Sequence, residues 1–170
     1  MTTAATTTVA RRFFDEAWSR GDLDVLDDLV DGGYRSHIRE LSVPRMSRWT
    51  GAAILRVEIA AYRSGMPDAR ADVTDVVADG DRAVAFFRFR GANSERTVLE
   101  PFAGARDEEI EATGMGITAS GVARLQLRDG RIAEAEIAWV GLGPMDQLRV
   151  LAGRSVELAV GDRPAAVTLR

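Results

Sequence analysis

Residues 121–140, GVARLQLRDGRIAEAEIAWV, contain a turn between two segments of alternating polarity. Asp129 and Gly130 form an Asp-Gly pair, which favours a tight hairpin connection between antiparallel strands. In the segment after the turn, the period of two puts Ala133, Ala135, Ile137 and Trp139 on one face and Glu134, Glu136, Ala138 and Val140 on the other. The stretch therefore predicts a β-hairpin whose last strand has two different faces.

The region before this hairpin also has the period of a sheet. Residues 71–78 and 82–90 predict two strands joined by the turn Asp79-Gly80-Asp81, and residues 110–128 are extended overall. Residues 92–109 contain charges, a proline and a glycine and predict a long loop. After the last strand, a short helix is expected from Pro144 to Leu151. Residues 153–170 form a C-terminal extension with weak strand character at 156–160.

The first third of the chain has helical spacing instead. Residues 1–7 read as a flexible lead-in, and a wide apolar stripe predicts a helix from Thr8 to about Gly21. A second short helix is expected over 23–30, capped by Asp22, and a third over 51–63, capped by Thr50. Helices followed by a bent antiparallel sheet indicate an α+β fold, in which the helices cover one sheet face and a pocket can form between the layers.

Composition excludes several kinds of chemistry. The chain has 170 residues, no cysteine, one histidine (His37) and 22 basic residues, all of them arginine. Thiol nucleophiles, lysine Schiff bases and a P-loop lysine are therefore ruled out. A net charge of -4 without a basic cluster argues against nucleic acid or membrane partners. A cytoplasmic protein is expected, because no apolar stretch approaches the roughly 20 residues that span a bilayer and the N-terminus lacks a basic start followed by an apolar segment. The acids around Asp107 to Glu111 read as a charged loop, and no metal site is expected.

Several segments together resemble one known family. Ala112-Thr113-Gly114, the strand 121–128 and the Asp129-Gly130-Arg131-Ile132 turn with the following Ala133-Glu134 are similar to the pattern of the SnoaL-like polyketide cyclase and ester cyclase group, within the NTF2-like superfamily. Phe13-Phe14 and residues 20–24 resemble its first helix and turn. Tyr34 to His37 stands where the family often has an aromatic residue and a histidine. The resemblance covers most of residues 8–152.

The resemblance implies a fold and an activity. The fold is an NTF2-like cone of one domain over 1–170, with N-terminal helices packed on a curved antiparallel or mixed sheet that encloses a pocket. The activity is that of a cyclase of bacterial polyketide-type biosynthesis, which needs no cofactor and closes a ring in a hydrophobic polyketide-like substrate. The ring closure is an aldol step, an epoxide opening or a cycloaddition. The alternative is a non-catalytic binding or assembly module, because this fold carries many unrelated roles.

The expected catalytic residues are Glu136, His37 and Tyr34. The family's usual acid and histidine positions correspond to Ala123, Ala135 and Val140 in this chain, so the neighbouring Glu136 is the candidate for proton transfer. If its face lines the cone, Glu136 lies inside, and Ala135, Ile137 and Trp139 form an outer apolar face for a homodimer through the sheet. In the simpler alternative, the Ala/Ile/Trp face packs on the helices and both glutamates are solvated. The expected substrate-binding residues are Trp18, Tyr62, Phe14, Phe86 and Met115.

Overall fold

A five-stranded mixed sheet organises the chain in a computed structural model, which describes residues 2–38, 50–99, 108–154, 156–160 and 163–167. Its strands are β1 (Val30–Ile38), β2 (Arg70–Asp79), β3 (Arg82–Ala92), β6 (Gly116–Arg128) and β7 (Arg131–Val140), in the order β1-β7-β6-β3-β2. Two further pairs are smaller: β4 (Thr97–Leu99) with β5 (Glu108–Ile110), and β8 (Val156–Val160) with β9 (Arg163–Val167).

Both predicted hairpins are present. Strands β2 and β3 pair antiparallel from Arg70 opposite Arg90 to Asp79 opposite Arg82, with one irregularity between Val73 and Asp75. Strands β6 and β7 pair antiparallel through the Asp129-Gly130 turn, in which Asp129 has a φ of 50°. The first strand differs, because β1 runs parallel to β7 and places His37 opposite Glu136 in the register. The sheet is therefore mixed.

The helices lie in the first half of the chain, with one short helix after β7. They are α1 (Thr3–Arg12), which continues directly into a π-helix (Phe13–Ser19), then α2 (Leu26–Leu29), α3 (Ala52–Gly65) and α4 (Pro144–Leu151). The π-helix buries Phe13, Phe14, Ala17 and Trp18. Its last residue, Ser19, joins it to the sheet, since Oγ accepts a hydrogen bond from the Ala71 amide at 2.9 Å.

The two faces of the sheet are unlike. On β6, burial alternates strictly along the strand, and Ile117, Ala119, Ala123, Leu125 and Leu127 point into the core. The helices cover this inner face, where apolar side chains from both layers form one core cluster. The α+β arrangement, with helices on one face of a curved sheet, is thus confirmed.

Some predicted boundaries were wrong. The first helix begins at Thr3, because Thr2 caps it, so most of the expected lead-in at 1–7 is helical. The second helix spans only Leu26–Leu29, and the chain is already extended from Val30. No side chain caps the third helix, whose N-cap is Gly51 rather than Thr50. The expected loop at 92–109 contains β4 and the start of β5, and its residues 100–107 lie outside the described part.

The C-terminal extension forms its own pair of strands. The strand character expected at 156–160 is confirmed by β8, which pairs with β9 and with no other strand among the described residues. Within the described ranges, no helix combines the length and apolar character that crossing a membrane requires.

Candidate functional site

A glycine at the centre of the inner sheet face brings two aromatic rings together. Gly121 of β6 lies opposite Phe87 of β3 and Trp139 of β7 in the register. A Cβ atom at Gly121 would collide with the Phe87 ring. Because that atom is absent, the rings of Phe87 and Trp139 meet edge to face above the glycine, with centroids 5.3 Å apart.

Further rings from the helices extend this contact into a continuous cluster. Phe14 of the π-helix packs on Phe87 at 4.7 Å, and Trp139 also contacts Phe89 at 6.1 Å. Tyr62 of α3 lies 5.6 Å from Phe89 and 5.3 Å from Trp18. We call these six residues the aromatic cluster: Phe14, Trp18, Tyr62, Phe87, Phe89 and Trp139. They form an apolar wall between the helices and the sheet.

One carboxyl group is buried beside this wall. Glu58 of α3 has no exposed surface, and both of its carboxylate oxygens are shielded from solvent. It lies one helical turn before Tyr62, on the same face of the helix as Ile54 and Leu55. A glutamate is rarely buried completely, because removing a charge from water is costly. The position of Glu58 therefore marks the interior as chemically distinct from an ordinary apolar core.

Glu58 was not among the predicted site residues, although its spacing from Ile54 and Tyr62 indicates a buried position. The residue stands four positions after Ile54 and four before Tyr62, both of which define the predicted buried face of the third helix. A residue at that spacing must share the face.

Tyr34 is the predicted catalytic residue whose side chain lies inside. It is 1% exposed, and its hydroxyl oxygen is shielded from solvent. Its carbonyl accepts a hydrogen bond from the Gly51 amide at 3.3 Å, at the start of α3. Because Glu58 follows Gly51 on that helix by about two turns, this contact sets the position of β1 relative to the helix that carries the carboxyl group.

Glu136 lies on the other side of the sheet, so the prediction that it projects into the interior was wrong. Its side chain is 55% exposed, and Arg124 donates from Nε to its Oε2 at 3.1 Å. Arg124 also donates from Nη2 to Glu134 at 2.9 Å, and the pKa of Arg124 is raised, chiefly by the hydrogen bond to Glu136. The physical reason is the alternation of β7, which buries Ala135 and Ile137 against the helices and leaves the glutamates in water. The structure therefore agrees with the simpler alternative, in which the Ala/Ile/Trp face packs on the helices and both glutamates are solvated.

The remaining predicted site residues divide into two groups. Phe14, Trp18 and Tyr62 are buried members of the aromatic cluster, and the expected proximity of Trp18 and Tyr62 is confirmed by their ring contact. Phe86 is 41% exposed on the outer face of β3, and Met115 is 51% exposed before β6, so neither lines the interior. The side chain of His37 lies outside the described residues, and its role stays a prediction.

A buried amide holds the segments at one end of the sheet. Asn93 is fully buried, and its Nδ2 donates to the Gly65 carbonyl at 3.2 Å, the Glu95 carbonyl at 3.0 Å and Thr97 Oγ1 at 3.2 Å. Its Oδ1 accepts from the amide and the hydroxyl of Thr113 at 2.8 and 2.9 Å. One side chain therefore connects the end of α3, the start of β4 and the approach to β6.

Other features of the described residues do not suggest a site for the expected chemistry. No group of three or more His, Asp or Glu side chains within the described ranges could hold a metal ion. A surface depression of about 420 Å³ lies at the ends of the hairpins and is lined by Asp81, Gln126, Leu127, Arg128, Asp129, Gly130 and Ala133. This polar lining does not match a hydrophobic guest.

Comparison with solved structures finds the same fold in other bacterial proteins. TsrD from Streptomyces laurentii is 24% identical, with a TM-score of 0.66 over 87% of this chain and 97% of that one. A protein assigned as a SnoaL-like polyketide cyclase from Jannaschia sp. CCS1 is 23% identical, with a TM-score of 0.61 over 81% of this chain and 86% of that one. IdmH from Streptomyces antibioticus, assigned as a polyketide cyclase, is 21% identical, with a TM-score of 0.61 over 85% of this chain and 99% of that one.

The family follows from the sequence match. No curated protein matches the chain. The model of the SnoaL-like domain, however, matches residues 10–135, from α1 to the first half of β7. Together with the mixed sheet and the helical layer described above, this match confirms the NTF2-like fold and the predicted family. The chain belongs to the SnoaL-like domain family.

Proposed function

We propose that this protein is a cyclase that uses no cofactor and closes a ring in an apolar, polyketide-like substrate by proton transfer in its interior. The observation that carries the proposal is the complete burial of Glu58 beside the aromatic cluster. The family and the proteins of the same fold assigned as polyketide cyclases support the reaction class. Glu58 replaces Glu136 as the proposed proton-transfer group.

The proposed step is an intramolecular aldol closure. The Glu58 carboxylate takes a proton from a carbon next to a substrate carbonyl, and the resulting carbanion forms a bond to a second carbonyl carbon. The alkoxide formed there receives that proton back from Glu58, and the Tyr34 hydroxyl stabilises negative charge on oxygen as it develops. Aromatic side chains hold the flexible substrate in a folded conformation, which lowers the entropic cost of bringing its two ends together.

The test uses a diketone that can close in this way. With 1-phenylheptane-2,6-dione as probe, we expect ring closure and then loss of one water molecule to give 3-methyl-2-phenylcyclohex-2-enone, whose formation is measured by the absorbance of the conjugated enone. Glu58→Gln should lower the rate about 100-fold or more, the usual contribution of a positioned base. Glu136→Gln serves as the matched control, because that glutamate is exposed, and should keep the wild-type rate. Equal rates for wild type and Glu58→Gln in folded proteins would contradict the assignment.

The second candidate function is a binding module without catalysis. It is favoured by Ala123 and Ala135, which are fully buried and stand where the family resemblance expects an acid and a histidine. Under this alternative the protein binds the diketone, as measured by calorimetry, and forms no cyclohexenone. Product formation that depends on Glu58 would exclude it.

A further inference from the structure

The structure assigns the indole N–H groups of Trp18 and Trp139 as donors to two carbonyl oxygens of an uncharged, flat, apolar ligand. This inference rests on the proposed function for the location of the ligand. It adds the chemical class of the ligand and the groups that orient it.

Both indole nitrogens are buried without an acceptor. Trp18 Nε1 and Trp139 Nε1 are each shielded from solvent, and neither donates a hydrogen bond to any described residue. Buried donors in folded proteins nearly always have a partner, because water no longer satisfies them. Two such donors in one cluster indicate an acceptor that arrives with a ligand.

The arrangement of the rings defines the shape of that ligand. Trp18 and Trp139 stand at the two ends of a row in which Tyr62 and Phe89 are the middle rings, with successive centroids 5.3, 5.6 and 6.1 Å apart. A row of aromatic side chains favours a flat, unsaturated molecule. Donors at its two ends favour oxygens at two separated positions, and an indole can only donate.

The charges nearby favour a neutral ligand. Among the described residues, Glu58 is the one acidic or basic side chain in the buried set, so this set contains no cation that could pair with an anionic ligand. The guanidinium of Arg63 is already bound to the carbonyls of Trp18, Ala69 and Pro67 at 3.4, 2.9 and 2.8 Å. Carbonyl oxygens therefore fit the two donors better than carboxylates.

The first experiment compares 1,4-naphthoquinone with naphthalene, which has the same ring skeleton and no oxygen. The protein has no cysteine and no lysine, the side chains that quinones modify most readily. We expect the quinone to bind at least tenfold more tightly in calorimetry, because each hydrogen bond contributes about fivefold in affinity. In ¹H–¹⁵N spectra, the indole signals of Trp18 and Trp139 should move downfield on addition of the quinone and not on addition of naphthalene.

The second experiment removes one N–H group while keeping the ring system. Replacing Trp18 or Trp139 by 3-benzothienylalanine exchanges the indole N–H for sulfur. The preference for the quinone should fall about fivefold at each position. The melting temperature of the free protein should not fall, because no internal hydrogen bond is lost. A lower melting temperature would instead identify a structural hydrogen bond and overturn the inference.

Three further outcomes bear on the inference. Equal affinity for the two compounds, or absence of binding by either, would overturn it. The Glu58→Gln variant separates it from the proposed function, because that variant should keep the quinone preference whether or not the protein catalyses ring closure. If catalysis is absent and the preference remains, the ligand class stands and the cyclase proposal fails.

Discussion

Single positions decide which chemistry this interior can carry. Ala123 and Ala135 remove the family's expected acid and histidine from the inner sheet face, and Glu58 supplies a carboxyl group from the helical side instead. Sequence spacing was sufficient to place Trp18 and Tyr62 together. Sequence spacing could not predict on which side of the sheet Glu136 lies. Alternation shows that a strand has two faces, but it does not show which of them is buried when both contain alanine.

Gly121 gives a test of packing at the same scale. Gly121→Ala adds a Cβ that collides with the Phe87 ring, which Phe14 and Trp139 hold from other sides. We expect a loss of about 1–3 kcal/mol in the free energy of unfolding, the usual cost of overpacking. The control is Gly116→Ala on the same strand, where nothing lies within 4 Å of the added atom. Urea unfolding that shows equal stability for the two variants would contradict this packing.

At the scale of elements, the strands were more predictable than the first helix. Strand β7 and helix α4 have the predicted bounds, because each depends on a local signal, a period of two or a proline at the first turn. The start of α1 was missed because its threonines have low helix propensity, and tertiary contacts compensate for this. Thr6, for example, is buried and donates to the Gly80 carbonyl in the β2–β3 turn. Such a contact joins residues far apart in sequence.

The connections around Asn93 give the second stability test. Asn93→Ala leaves the amide and the hydroxyl of Thr113 without their Asn93 acceptor and removes one of the two donors to the Gly65 carbonyl, which keeps the Glu95 amide. Because each unsatisfied buried group costs about 1–3 kcal/mol, we expect a loss of roughly 3 kcal/mol and faster amide exchange in β4 and at 113–115. As a control, Gln126→Ala removes a less buried amide and should cost less than about 1 kcal/mol. Similar losses in the two variants would show that Asn93 does not join these elements.

At the scale of the whole molecule, the outer face of the sheet favours a second copy of the chain. Val77, Phe86 and Val140 are 59%, 41% and 71% exposed there, and Phe86, Val122 and Ala138 form a row across three strands. The same face carries charges of both signs, since Arg124 of β6 is paired with Glu134 and Glu136 of β7 within the chain and Arg88 of β3 is exposed on this face. We propose a homodimer through this face, and not through Ala135 and Ile137, which are buried in the core.

The dimer is tested by sedimentation. Wild type should sediment with twice the 18.4 kDa mass of the chain, and Phe86→Glu should sediment as a monomer, because a charge replaces the central ring. Met115→Glu is the control, since Met115 is as accessible as Phe86 but lies outside the five-stranded sheet. A wild-type protein that is monomeric at all concentrations would rule out this interface.

The parallel pairing of β1 with β7 has a consequence for synthesis. Strand β1 is at the edge of its sheet, and its one strand neighbour within the described ranges, β7, ends at Val140. During translation, β1 can therefore form its hydrogen bonds with β7 only after most of the polypeptide has left the ribosome. Closing so long a segment is entropically costly and slows folding. The helical layer, and Glu58 within it, should reach its final place only after the last strand of the sheet is made.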